Sequence, residues 1–529
     1  MGRVIVLGLD GMSPAMLQTL IDKGLMPNAA KFVDRANSST LRSTIPFSTI
    51  PGWTTIFTGV LPGQHGLLWW KREDPWLPWG QPTERGFTTM HRALAPRLWN
   101  LLEGTGKRIA FVDVPATFPA PDINGTFISG FLGPWPHKRA VHPADIAEDV
   151  SGWLPSDGGV IESAPRSEAE LIGRVDAITE AARQRRDVWR SLLTGDYDLV
   201  SLVLVGPDRL SHLLWRDMIP DTSDDSGVRA ATKSYWETVD SFFVDLSAAA
   251  ENGDDVLVCS DHGSDAPPST RLHLDRWLVA AGFSTEIGPD GGRDRAETMI
   301  QRLERAVRPV SKPVLKAVRA ENLGRAVKDR VRQKAWKGVS AREDEIFPVI
   351  MDDREAGFFL SPQIADPEAT SSRLIEALRE VSHAGKKVFE RVGPADDFMG
   401  PISPGFAAPN VMAVSDADVG LAARQGVNDV FTPENKPQRG IHRREGILLF
   451  ASSKQVRAGI DPGVEDVTPT ILALLGVAIP SLAGTALVES DAEDIITVTS
   501  TAPDERDAAI THEEEEAIAD HLRGLGYIE

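Results

Sequence analysis

Val4-Ile5-Val6-Leu7-Gly8-Leu9-Asp10 is an unbroken apolar run that stops at a carboxylate. A run of this kind reads as a parallel strand buried on both faces, and ligand sites in open α/β sheets lie just beyond the carboxyl ends of such strands. Two further stretches repeat the pattern: residues 199–208 (LVSLVLVGPD), ending at Asp208, and residues 255–261 (DVLVCSD), ending at Asp261. His212 and His262 stand close behind two of the three acids. Oxygen and imidazole donors gathered at one sheet edge suit hard or borderline metal ions, so the expectation is a metalloenzyme.

Outward from these strands, helix and strand signals alternate through the first 265 residues. Ser13-Pro14 opens helical segments over 13–36, a cap followed by proline at the first helical position. The strand Arg108–Val114, a long polar helix over 166–194 and a helix over 226–251 continue the alternation. The fold class expected is therefore α/β, a sandwich with a mostly parallel central sheet. The catalytic core is expected to be discontinuous, over 1–284 and 346–485. Between them lies a helical insertion or cap at 285–345. Within it, residues 302–337 carry 12 Lys and Arg against Glu304, Glu321 and Asp329, with valines and Leu323 at helical spacing. The plain reading is a solvated cap; the sharper one is a peripheral docking face for an anionic surface or substrate. Residues 486–529 read as a polar linker and an acidic helix opened by the capping-box pattern Thr511-His512-Glu513-Glu514. The Trp-rich stretch 67–100 reads as a surface excursion pinned by aromatic packing, or as a rim over the site.

With 56 basic and 76 acidic residues the formal charge is −20, which argues against bulk nucleic-acid binding. Apolar content of 42% and charged content of 25% are those of a globular chain. Cys259 is the single cysteine, excluding an intramolecular disulfide and a Cys-rich zinc site. No run reaches the length needed to span a bilayer, and Met1-Gly-Arg leads at once into a core strand rather than a signal peptide. A cytoplasmic location is expected.

Each chemical candidate has a bland counterpart. Asp10 followed by Gly11 is commonly a plain turn. Asp208 and His212, four apart, share one helix face if a helix starts after Pro207, or are an N-terminal cap and an incidental histidine. Asp261-His262-Gly263 closes its strand with adjacent side chains that diverge. His442, in Gly440-Ile441-His442-Arg443, would alone pass for a surface residue. Residues 44–66 offer many hydroxyls, and spacing does not choose among Thr44, Ser48, Thr49 and Thr54. A threonine hydroxyl becomes a nucleophile when its proton is lost, which metal coordination achieves.

The order of motifs resembles the alkaline phosphatase superfamily, in particular its microbial type I phosphodiesterase/nucleotide pyrophosphatase branch. It runs from Gly8–Met12 (GLDGM) through Thr49-x-Pro51-x-Trp53, Thr58-Gly59 and Pro62-x-x-His65-Gly66. It continues with Asp208-Arg209-x-x-His212-x-x-Trp215, Ser260–Gly263 (SDHG) and Gly440-x-His442-Arg443-x-Glu445-Gly446. Residues 112–119, 129–134, 466–476 and 513–529 add agreement; 285–345 adds little.

The resemblance implies an alkaline-phosphatase-like three-layer sandwich and a hydrolase of phosphodiesters or nucleotide pyrophosphates. Thr49 would be the nucleophile, forming a phosphothreonine intermediate. Two divalent metal ions are implied, usually Zn2+, with Mn2+ or Fe in some members. Asp208, His212 and His442 would hold one; Asp10, Asp261 and His262 the other; the Thr49 oxygen would lie between. Where animal nucleotide pyrophosphatases place an Asn that touches the phosphoryl group, this chain has Gly52, so another group must serve. Arg209, Lys71 and Arg72 are the candidates for binding a small anionic phosphoester substrate.

Competing expectations are a phosphomonoesterase or phosphonate hydrolase on the same fold, and a non-catalytic protein that binds anionic surfaces. A sulfatase is disfavoured, because the only cysteine precedes Ser260-Asp261. Phosphoglycerate-mutase-like transfer lacks residues to hold its substrate.

Overall fold

The computed structural model describes residues 2–69, 88–159, 165, 167–225, 227–284, 346–423, 429–434, 439–457, 459, 461–489 and 510–525. Lys71, Arg72 and the insertion 285–345 lie outside the described residues, as does most of the polar stretch after 486.

The opening run forms β1 (Val4–Leu9), buried along its whole length. It lies inside an eight-stranded sheet with β2 (Asn37–Arg42), β3 (Ile109–Val114), β4 (Gly125–Ser129), β5 (Val141–His142), β6 (Leu199–Leu204), β7 (Asp255–Cys259) and β8 (Glu445–Ala451). The spatial order is β2-β8-β7-β1-β6-β3-β4-β5. Strands β7, β1, β6, β3 and β4 pair in parallel, and antiparallel pairings add β8, β2 and β5 at the two edges.

Helices cover both faces, and the period-2 geometry of a strand explains the continuous apolar runs. Val4 and Val6 enter one core cluster with Trp53, Phe57, Phe111 and Ile471. Ile5 and Leu7 enter the other, with Leu17, Val175, Trp236 and Phe243. The first layer includes the helices Thr49–Thr58 and Val467–Leu474; the second includes Pro14–Asp22, Glu168–Thr194, Gly206–Leu214 and Gly227–Glu251. This is the expected three-layer α/β sandwich. Trp99, from the Trp-rich stretch, is a core residue, its ring centroid 5.4 Å from Phe111 and 5.2 Å from Phe127.

After Ile346 the chain first builds a second sheet and returns to the large one with β8. The strands Ile346–Asp352, Glu355–Leu360, Val411–Ser415 and Phe389–Pro394 form a separate antiparallel sheet in that order. The Pro367–Glu380 helix packs on it through buried Leu374 and Leu378. Met351, Phe359, Met412 and Val414 instead meet Ile45 and Phe47, in the loop ahead of Thr49. The small sheet thus lies against the segment that leads into the candidate nucleophile.

The acidic C-terminal helix His512–Leu525 has the expected capping box: Glu514 N donates to Thr511 Oγ1 (3.3 Å) and Thr511 N to Glu514 Oε2 (2.8 Å). No described helix is long and apolar enough to cross a membrane.

Candidate active site

Strands β7, β1 and β6 are neighbours, so their carboxyl ends deliver Asp261, Asp10 and Asp208 to one place. Asp10 is still on the ladder, its N–H donating to Leu204 O at 3.0 Å. The chain then turns at Gly11, where φ is +71° and an added Cβ would lie 2.9 Å from Asp208 Cβ. Only glycine satisfies both the left-handed backbone and the close approach. After β6 the Gly206–Leu214 helix starts with Pro207 in its first turn, placing Asp208 near its positive end and His212 one turn on. The antiparallel pair of Ile441–Arg443 with Gly263–Asp265 carries His442 to the same edge. Asp10, Asp208, Asp261 and His262 are fully buried, and His212, His442 and Thr49 nearly so.

Two groups of donors close up within 4.8 Å: Asp208, His212 and His442; and Asp10, Asp208 and His262. Asp208 belongs to both, and Asp261 Oδ2 adjoins the second at 3.3 Å from His262 Nε2. The six residues expected from sequence are therefore brought together, with Asp208 shared between the groups.

Backbone and side-chain partners set how the rings face. His212 Nδ1 lies 3.0 Å from Gly440 O, His262 Nδ1 3.0 Å from Gly263 O, and His442 Nδ1 2.7 Å from Asp352 Oδ2. With each Nδ1 carrying its proton toward those acceptors, every Nε2 turns inward, the way metal-binding histidines are oriented. His212 Nε2 and His442 Nε2 then face each other at 2.8 Å, and His442 Nε2 is 3.2 Å from Asp208 Oδ1. Two ring nitrogens so close must share something positive, a proton or a cation.

The carboxylates report the same need. Asp10 Oδ1 and Asp261 Oδ2 are buried without a hydrogen bond, which is costly for an anionic oxygen unless a cation approaches. Burial, reinforced by the Asp208 charge, pushes the Asp10 carboxyl up to about 7. Burial and the charges of Asp10 and Asp208 hold Asp261 well above the usual range. Burial would raise Asp208 too, but His212, Arg209 and His442 outweigh it and hold it well below. For His442, Asp352 and Asp208 outweigh the effect of burial and hold it well above its ordinary value. A cluster of buried acids and inward-facing imidazoles fits divalent cations by donor chemistry and by its orphaned oxygens.

Thr49 is the first residue of the Thr49–Thr58 helix, its Oγ1 3.5 Å from His262 Nε2. Of the other hydroxyls left open by spacing, Thr44 donates to Pro46 O and Thr54 to Ile50 O. The helix dipole and its unpaired first-turn amides favour negative charge near Thr49. Gly52, one turn in, has no room for a side chain: a Cβ would lie 2.9 Å from Asp261 Cβ. Arg209 is buried, with its guanidinium 4.7 Å over the Phe131 ring and Nη2 3.1 Å from Asp208 Oδ2.

Three neighbours were not foreseen from sequence. Trp53 Nε1 donates to Asp10 Oδ2 at 2.9 Å. Asp352 holds His442, as above. Glu355 Oε1 accepts the Phe47 N–H at 3.0 Å, two residues before Thr49. Trp53 sits within the motif that singled out Thr49, and that proximity was its only signal; the two acids carried none.

Residues 4–385 match the model of the family described as type I phosphodiesterase / nucleotide pyrophosphatase. No curated protein matches the chain. Among solved structures, phosphonoacetate hydrolase from Sinorhizobium meliloti 1021, in complex with phosphonoformate, is similar at 15% identity and a TM-score of 0.53. That match covers 90% of this chain and 96% of the other. Murine ectonucleotide pyrophosphatase / phosphodiesterase 5 is similar at 12% identity and a TM-score of 0.45, covering 91% and 97%. The first likeness bears on the fold. The family match spans well over half the sequence: the chain belongs to the type I phosphodiesterase/nucleotide pyrophosphatase family of the alkaline phosphatase superfamily.

Proposed function

We propose that this phosphoester hydrolase is a phosphodiesterase or nucleotide pyrophosphatase working through a phosphothreonine at Thr49, with two divalent cations, zinc in the first instance. The observation that carries the reading is the convergence of Asp10, Asp208, Asp261, His212, His262 and His442 on one buried edge beside the Thr49 hydroxyl. Asp208, His212 and His442 would hold one cation; Asp10, Asp261 and His262 the other, with Asp208 within reach of both. Bound there, the cations supply positive charge that lowers the hydroxyl pKa and offsets charge building on the phosphoryl oxygens.

The chain's own residues do the rest. Thr49 opens its helix, and the positive end of the helix dipole is a favourable setting for an alkoxide and for a phosphoryl group. The Oγ1–phosphorus bond forms as the ester oxygen departs with its electron pair, and the proton lost from the Thr49 hydroxyl passes through water to that departing oxygen. Water then attacks the phosphorus of the phosphothreonine, which still carries the remaining ester group, releasing a phosphate monoester and returning a proton to the Thr49 oxygen. Arg209, behind Asp208, adds positive charge at the base of the site. A cytoplasmic placement accords with the lone, buried Cys259.

The test is hydrolysis of bis-p-nitrophenyl phosphate by the metal-loaded protein, alongside p-nitrophenyl phosphate, a nucleotide pyrophosphate and phosphonoacetate. Thr49→Ala should lower the diester rate on the order of 10^4-fold or more while cation binding persists. Equal rates for this variant and its parent would remove Thr49 from the mechanism. A preference for the monoester or the phosphonate would move the substrate class.

A further inference from the structure

The hairpin of the small sheet turns at Asp353 and Arg354, between the strands Ile346–Asp352 and Glu355–Leu360. Its four central side chains all reach beyond the hairpin. Asp352 Oδ2 takes the His442 Nδ1–H at 2.7 Å, while its Oδ1 takes the Asp353 N–H at 2.6 Å. Asp353 Oδ1 pairs with Arg271 Nη2 at 2.8 Å. Arg354 donates to Ser415 O at 3.1 and 2.5 Å and to Glu390 at 2.8 Å. Glu355, fully buried, accepts from Phe47 N. The pairing register shifts between Ile350 and Asp352, an irregularity of the kind that re-aims a side chain.

We propose that this turn is a positioning device for the active site: Asp352 fixes the ring of His442, and Glu355 fixes the loop that delivers Thr49. The imidazole χ2 torsion is broad and roughly two-fold. The Asp352 hydrogen bond selects the orientation that sends Nε2 toward Asp208. A carboxylate behind a ligating imidazole also raises its basicity, and losing such a partner typically costs 10- to 100-fold in metal affinity. Glu355 acts at the other end of the turn, on the peptide two residues from the nucleophile. One rigid two-residue turn thereby ties His442 and Thr49, which come from distant parts of the chain.

The inference rests on His442 being a cation ligand, and the experiment separates the two. Zn2+ and Mn2+ are titrated calorimetrically into metal-free full-length parent, Asp352→Ala, Asp352→Asn, Asp353→Asn and His442→Ala. Expected are a loss of affinity of about 10- to 100-fold for Asp352→Ala, a smaller loss for Asp352→Asn, which keeps an acceptor, and no loss for Asp353→Asn. His442→Ala should lose one cation. If His442→Ala weakens binding but Asp352→Ala matches the parent, the positioning role is overturned and the ligand stands. If His442→Ala also matches the parent, both fall. Equal losses in Asp352→Ala and Asp353→Asn would assign the effect to the fold of the turn and overturn the role of the carboxylate. For Glu355, kcat on bis-p-nitrophenyl phosphate should fall on the order of 10-fold in Glu355→Ala, with KM and cation affinity unmoved and recovery in Glu355→Gln. A change confined to KM would overturn that half.

Discussion

The two sheets contribute to the site in different ways. The large, mostly parallel sheet supplies the candidate reactive groups: Asp10, Asp208 and Asp261 leave its strand ends, and Thr49 opens a helix packed on its face. The small antiparallel sheet supplies partners to those groups, through Asp352 and Glu355. Donors placed by strand ends inherit their positions from a backbone ladder buried on both faces. Partners placed by a hairpin inherit theirs from how one sheet docks on another. The first arrangement is rigid by construction; the second depends on an interface.

The sharpest way to break the contrast is at Asp208, the residue common to both donor groups. Asp208→Ala should abolish tight binding of both cations and lower diester hydrolysis on the order of 10^4-fold or more, as read by metal content and rate. Retention of one full cation would divide the groups more cleanly than the geometry does. Next in size is the small sheet's own core. Phe358→Ala, at a fully buried position, should cost about 3–5 kcal/mol. Hydrogen exchange should quicken across 346–415 while β1, β6 and β7 stay protected, and cation affinity should fall with it. Unchanged affinity would detach the small sheet from the site.

A smaller effect belongs to the large-sheet side. Gly52→Ala brings a Cβ to 2.9 Å from Asp261 Cβ and should destabilise the metal-free protein by about 1–3 kcal/mol in thermal unfolding. Smallest is a contact with no link to the site. Burial would raise Glu514, but hydrogen bonds from Thr511 and the Arg139 charge outweigh it and hold its carboxyl below the usual glutamate range. A depressed folded-state pKa contributes stability above the unfolded value and loses it as pH falls through the folded one. Docking of the 511–525 helix should therefore weaken on acidification below the ordinary glutamate range. The change should be on the order of 1 kcal/mol for this single, partly exposed pair. Limited proteolysis against pH reads it, and Glu514→Gln should flatten the response.

The same contrast explains what the amino-acid pattern could tell. Asp10, Asp208 and Asp261 were legible because a doubly buried strand has to be apolar throughout, so a carboxylate at its end stands out. The i, i+4 spacing of His212 was legible once Pro207 opened a helix, as it does. His442 and Thr49 emerged only from the ordered motifs. Local spacing left four hydroxyls open, and it took the backbone acceptors of Thr44 and Thr54 to set two of them apart. Asp352 and Glu355 were illegible, because a contact that joins residues 352 and 442 through an antiparallel turn leaves no period in either segment. The chain after 346 was expected to belong with the core, and Glu445–Ala451 does join the large sheet; that four earlier strands pair with one another in a second sheet left no signal in the sequence.

Trp53 joins the Thr49 helix to β1. Its indole N–H holds Asp10, and its ring crosses β1 so closely that a Cβ on Gly8 would lie 2.4 Å away. The helix bearing Thr49 is thus keyed into the strand that leads to Asp10, one turn from the Thr49 hydroxyl. Sliding that helix along the sheet would break the key before it reshaped the site. A change at Gly8 or at Trp53 would therefore be felt at Asp10 and Thr49 together.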